Sequence, residues 1–161
     1  MTVTEYNTAV DDYADNLYRF ALKHLRNEDS AKDIVQETFT KVWIKHVEIS
    51  AEKVKSYLFT TAYHCIIDWI KKEKRNGDFE QLKNSPEQAK LPEFDLQTII
   101  HETLEKLPLI QQSVVLLRDY EGYSYSEIAE ITNLSEAQVK VYIFRARMAM
   151  KNYIKDLDLV L

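Results

Sequence analysis

Five side chains near the C-terminal end of this chain have the chemistry of a reader. Gln138, Lys140, Arg145, Arg147 and Lys151 fall in one short run, "QVKVYIFRARMAMK". A glutamine amide can pair with adenine, and lysine or arginine with guanine or phosphate. That is recognition by hydrogen bonds and charge, with no bond made or broken. Elsewhere the chain shows no phosphate-cradling glycine loop, no nucleophile–base signature and no metal cluster. His24, His46, His64 and His101 are dispersed, and Cys65 is the single cysteine. His64 and Cys65 are adjacent, but neighbours on a helix point about 100° apart. A packed thiol is the better reading than a metal site. No cofactor is expected, and the chain reads as a non-enzyme.

The cations stand out because the chain as a whole is acidic, with a net charge of -5 over 161 residues. Bulk charge therefore does not draw it to nucleic acid. A local basic face remains possible, so the elements that would present one matter. Hydrophobic residues make up 45% and charged residues 29%, a globular mixture able to bury a core. Only 2 glycines and 3 prolines are present, which favours helices over turn-rich sheets. No apolar run is long enough to span a bilayer and no signal peptide opens the chain, so it reads as cytosolic with no membrane insertion.

The elements follow from periodicity. Leu17, Phe20, Ala21, His24 and Leu25 keep helical spacing. "NEDS" breaks it, and Asn27, Asp29 or Ser30 can cap a second helix whose stripe is Ala31, Ile34, Val35, Thr38, Phe39, Val42 and Trp43. A third follows the break near Ser50, through Val54, Leu58, Thr61, Ala62, Cys65, Ile66 and Trp69. It carries a second apolar line, Phe59, Tyr63 and Ile67. Such a helix is either fully buried or presents one face to a partner, and its polar residues argue against full burial. It ends in "KKEKR", where the helix dipole alone would account for one or two cations.

Residues 77–95, with Gly77, Pro86 and Pro92 among polar neighbours, read as a linker. A further helix through Leu104 and Leu107 stops at Pro108, and the next ends near Gly122. Then come two capping boxes, Ser124 with Glu127 and Ser135 with Gln138, starting helices at Tyr125 and Glu136. Asn133 between them suits a left-handed terminator. A short helix, a tight turn and a longer basic helix make a helix-turn-helix, whose second helix enters the major groove. The fold expected is all-α: two small helical domains, residues 1–76 and 96–161, joined by the linker.

These residues resemble the extracytoplasmic-function (ECF) sigma factors of the sigma-70 family, subunits that start bacterial transcription. "DSAKDIVQETFTKVW" resembles the family's region 2.2, "SYLFTTAYHCIIDWIKKEKR" its regions 2.3 and 2.4, and Leu104 to Arg147 its region 4, in the family's order. The resemblance implies that Asp33, Gln36, Glu37 and Phe39 dock on the largest subunit of core RNA polymerase. It implies that Tyr57, Phe59, Tyr63, His64, Lys71, Lys72, Lys74 and Arg75 melt and read the -10 promoter element. There exposed rings stack on unpaired bases and cations hold phosphates. Tyr125, Ser126, Gln138, Lys140, Phe144 and Arg145 correspond to the residues that meet -35 duplex, although Phe144 is equally readable as core. An anti-sigma factor is the implied inhibitor. The chain departs from the family's common Arg-Asn at Tyr63-His64 and from its common Ser-Arg at Val141-Tyr142, which bears on promoter sequence. The alternative is a helix-turn-helix regulator that binds duplex DNA without joining polymerase.

Overall fold

Thr2 starts the first helix, α1 (Val3–Leu25), with a full capping box. The Glu5 backbone N–H donates to Thr2 Oγ1 at 3.1 Å, and the Thr2 N–H donates to Glu5 Oε1 at 2.9 Å. The helix therefore begins fourteen residues before the stripe that opens at Leu17. Arg26, left-handed at φ 55°, ends it and donates its N–H to the Leu22 carbonyl. Asn27 caps α2 (Glu28–Ile44), its Oδ1 accepting the Ser30 N–H at 2.8 Å. Two single 3-10 turns, His46–Glu48 and Ala51–Lys53, lead into α3 (Val54–Asn76). This is a computed structural model; it describes residues 1–76 and 96–160, with side chains from 1–76 and 98–156. The linker expected at 77–95 lies outside the described residues.

In the first unit α1, α2 and α3 each pack against the other two. Phe20, Leu25, Ile34, Leu58 and Ile66 fill the centre. That three-way arrangement corrects one expectation. Phe59 is 0% exposed and Tyr63 is 6% exposed, so these two residues of the second apolar line of α3 are core, while Ile67 is half-buried. Phe59 sits edge-on to Phe20 with ring centroids 5.5 Å apart. A helix that meets two neighbours buries an arc wide enough for two lines. Trp43 departs in the other direction. It leaves the core stripe, remains partly exposed and stacks on His46 at 4.2 Å.

The second unit holds α4 (Leu96–Lys106), α5 (Leu109–Val115), α6 (Tyr125–Thr132) and α7 (Glu136–Val160). The last helix is its spine, with α4, α5 and α6 all packed on it. Past Val115 the chain loosens into a π turn, Leu116–Tyr120, closed by the Glu121 N–H donating to the Leu116 carbonyl at 3.1 Å. Gly122 then takes φ 75°, a conformation open to glycine and strained for other residues. Tyr123 is buried there, and its carbonyl accepts from Arg118 Nη1 at 2.8 Å. No strand occurs among the described residues.

Candidate nucleic-acid interface

Local hydrogen bonds set the angle between α6 and α7. Ser124 and Glu127 close a capping box, each bond 3.1 Å. Asn133 is left-handed at φ 57° and returns its N–H to the Ala129 carbonyl. Ser135 and Gln138 close the next box: the Gln138 N–H donates to Ser135 Oγ at 3.1 Å, and the Ser135 N–H donates to Gln138 Oε1 at 2.9 Å. Ile128 and Ile131 on α6 and Val139, Ile143 and Ala146 on α7 are buried, and the two helices pack together. The remaining face of α7 is solvent-facing, with Gln138, Lys140, Phe144, Arg145 and Lys151 exposed. Phe144 is 65% exposed, which decides between core and surface for that residue.

Not every cation on α7 is available. Arg147 reaches Asp119 through two bonds, Nη2 to Oδ1 at 2.5 Å and Nε to Oδ2 at 3.3 Å. The hydrogen bond it donates to Asp119 is the largest influence on this guanidinium and holds its pKa above the usual value. Arg147 therefore ties α7 to the π turn. Tyr125, at the start of α6, is half-buried, with the Arg118 guanidinium 4.5 Å and the Lys140 ammonium 5.5 Å from its ring centroid. Ser126 is exposed beside it. Gln138 has spent its carbonyl oxygen on the cap, so only its NH2 group points outward without rearrangement.

The first unit carries two further faces. Along α3, Tyr57, His64, Lys71 and Arg75 recur at seven, seven and four residues, which is one side of a helix. His64, Lys71 and Arg75 are exposed and Tyr57 is half-buried. Asp68, Lys71, Lys74 and Arg75 line an open depression of ≈ 490 Å³ at its C-terminal end, and Lys72 is exposed next to it. Phe59 and Tyr63 are turned inward and do not belong to this ridge. Burial also pushes the Tyr63 hydroxyl above its ordinary pKa. Along α2, Asp33, Gln36 and Glu37 are exposed on one face, with Glu37 3.1 Å from Lys41. Phe39 points elsewhere. It is half-buried beside Tyr6, whose hydroxyl donates to the Phe39 carbonyl at 2.9 Å. Ile44, strongly exposed, continues the Gln36 and Glu37 face and was absent from the set read from sequence. An apolar residue seven positions after Glu37 on an otherwise polar face is the signal that marks it.

Two family models match, "Sigma-70 region 2" over residues 9–76 and "Sigma-70, region 4" over residues 97–150. "RNA polymerase sigma factor SigV" of Bacillus subtilis is 30% identical over 159 residues, covering 94% of this chain and 92% of the relative. "ECF RNA polymerase sigma factor SigM" of the same organism is 28% identical, covering 86% of this chain and 88% of the relative. The chain belongs to the ECF sigma factors of the sigma-70 family. In this sigma factor α3 is the last helix of region 2, and the helix-turn-helix lies inside region 4. Its fold is shared with the sigma factor RpoE of Bartonella quintana, solved in complex with the anti-sigma factor NepR: TM-score 0.72, 23% identity, covering 95% of this chain and 98% of that one. CnrH, solved with the cytosolic domain of CnrY, gives TM-score 0.72 at 20% identity, covering 94% of this chain and 88% of CnrH. Among the described residues no helix is long and apolar enough to cross a membrane, and no group of His, Cys, Asp or Glu side chains could hold a metal.

Proposed function

We propose that this sigma factor brings core RNA polymerase to its promoters through three faces. The exposed side of α7 reads -35 duplex with Lys140, Phe144 and Arg145, while Tyr125 and Ser126 at the start of α6 approach the backbone. The α3 ridge of Tyr57, His64, Lys71 and Arg75, with Lys72 and Lys74 beside it, engages the -10 element as it opens. Asp33, Gln36 and Glu37 on α2 face the polymerase. Bond-making belongs to the polymerase, and this subunit supplies address and strand separation from within the cytoplasm. An anti-sigma factor is the natural antagonist; the sigma factor RpoE of Bartonella quintana was solved in complex with one, the anti-sigma factor NepR.

The observation that carries this reading is the basic, solvent-facing ridge on α3. A regulator that only gripped duplex DNA would need the helix-turn-helix alone. Opening a base pair costs a few kcal/mol, and repaying it takes a second surface for the freed strand. Run-off transcription with purified core polymerase and a promoter library tests it. Transcripts from a defined promoter class that depend on this chain are the expected result. Absence of such transcripts, with tight duplex binding by the chain alone, would point to a regulator instead.

A further inference from the structure

The solvent face of α7 is not simply basic. Val141, Phe144 and Met148 are 44%, 65% and 41% exposed. Their spacing of three and four residues aligns them on one side of the helix, with exposed Ala137 one turn earlier. Val139, Ile143 and Ala146, on the other side, are already core. Scattered apolar residues on a surface are ordinary, but an aligned strip calls for an occupant. The charges around it say which kind. Lys140, Arg145 and Lys151 border the strip and are exposed, and from Ala137 to Lys155 the helix carries no carboxylate. A strip with cationic edges fits an anionic partner that has an apolar floor.

The major groove of DNA has that form. Phosphates line its rims, its width of about 12 Å accepts a helix, and the thymine C5-methyl is the apolar group on its floor. Val141 is the sixth residue of α7, within the N-terminal part that meets base edges in a helix-turn-helix. Its side chain has neither donor nor acceptor. It cannot be satisfied by a polar base edge, and a polar edge pressed against it would lose water without compensation. We propose that Val141, with Phe144 beside it on the strip, reads a thymine methyl group in the -35 duplex. Val141 is then a specificity-determining residue. This rests on the assignment of α7 to the -35 element and names the chemical group that one of its positions selects.

The test uses holoenzyme formed from the full chain and core polymerase on a promoter taken from the library. Each -35 thymine is replaced in turn by deoxyuridine, which removes only the methyl group. At one position promoter binding should fall about fourfold, the worth of roughly one buried methyl-sized group. At that same position 5-methylcytosine should outperform cytosine. Val141→Ser, at a surface site that leaves the core untouched, should abolish both differences while its circular dichroism matches the parent chain. Indifference to the methyl at every -35 thymine overturns the proposal, as does full methyl sensitivity in Val141→Ser. A strip that serves a protein partner gives that indifferent result. If the library yields no promoter-specific transcripts, the -35 assignment itself fails and this proposal falls with it; methyl-indifferent but promoter-specific transcription removes this proposal alone.

Discussion

Arg145 and Arg147 stand two residues apart on α7 and have different work. Arg145 is exposed and bordered by the apolar strip, whereas Arg147 is paired with Asp119 across to the π turn. Replacing Arg145 with Ala should cost about 1–3 kcal/mol of discrimination at one -35 position and leave the thermal midpoint unchanged. Replacing Arg147 should do the reverse. Its pair is partly solvated, so the loss of stability should be about 1 kcal/mol or less, with promoter preference kept. Promoter titration beside a thermal melt separates the two. Two cations alike in sequence differ here because a carboxylate 28 positions earlier is folded against only one of them. That distinction is not local, and no spacing rule contains it. Phe144 illustrates the same limit, since helical periodicity left it between core and surface.

At the scale of the element, most boundaries were legible because the signals that set them are short-range. Asn27, Ser124, Asn133 and Ser135 act on backbone groups within a few residues, and each does what its type predicts. The same logic was available at Thr2 and Glu5, where a capping box starts α1 well ahead of its first clear apolar stripe. What periodicity does not tell is how many neighbours a helix will meet. Phe59 and Tyr63 of the second apolar line of α3 are core because α1 and α2 both close on that helix. Phe59→Ala should therefore destabilise the chain by about 3–5 kcal/mol in denaturant unfolding, the cost of a large aromatic core truncation. A ring held out for bases would give a near-zero loss of stability and a specific loss of promoter opening. The π turn after Val115 was also invisible in sequence, as its residues are ordinary helix formers and the extra backbone bond is fixed by packing.

For the whole molecule, a net charge of -5 and two cationic surfaces coexist because attraction to DNA is decided at contact distance. The exposed cations at the end of α3 should show in salt dependence. In holoenzyme bound to an opened promoter, Lys71→Ala and Arg75→Ala should each lower the slope of log affinity against log salt by about 0.7, the value for one single-strand phosphate. An unchanged slope would return both residues to the role of helix-end charges. Function was recoverable from the chain because the two segments that carry it stand in a recognisable order. The partition of individual side chains between core and partner was not, since it depends on tertiary neighbours. The cap at Ser135 and Gln138 has a consequence for how such proteins diversify. Gln138 closes the first turn of α7 with its own oxygen, so a substitution that retargeted it would also loosen the start of the helix. Val141 and Arg145 close nothing. On the proposed -35 role of α7, divergence toward new promoters is cheapest at those two positions, and lineages sharing this architecture should drift there while the capping pair stays still.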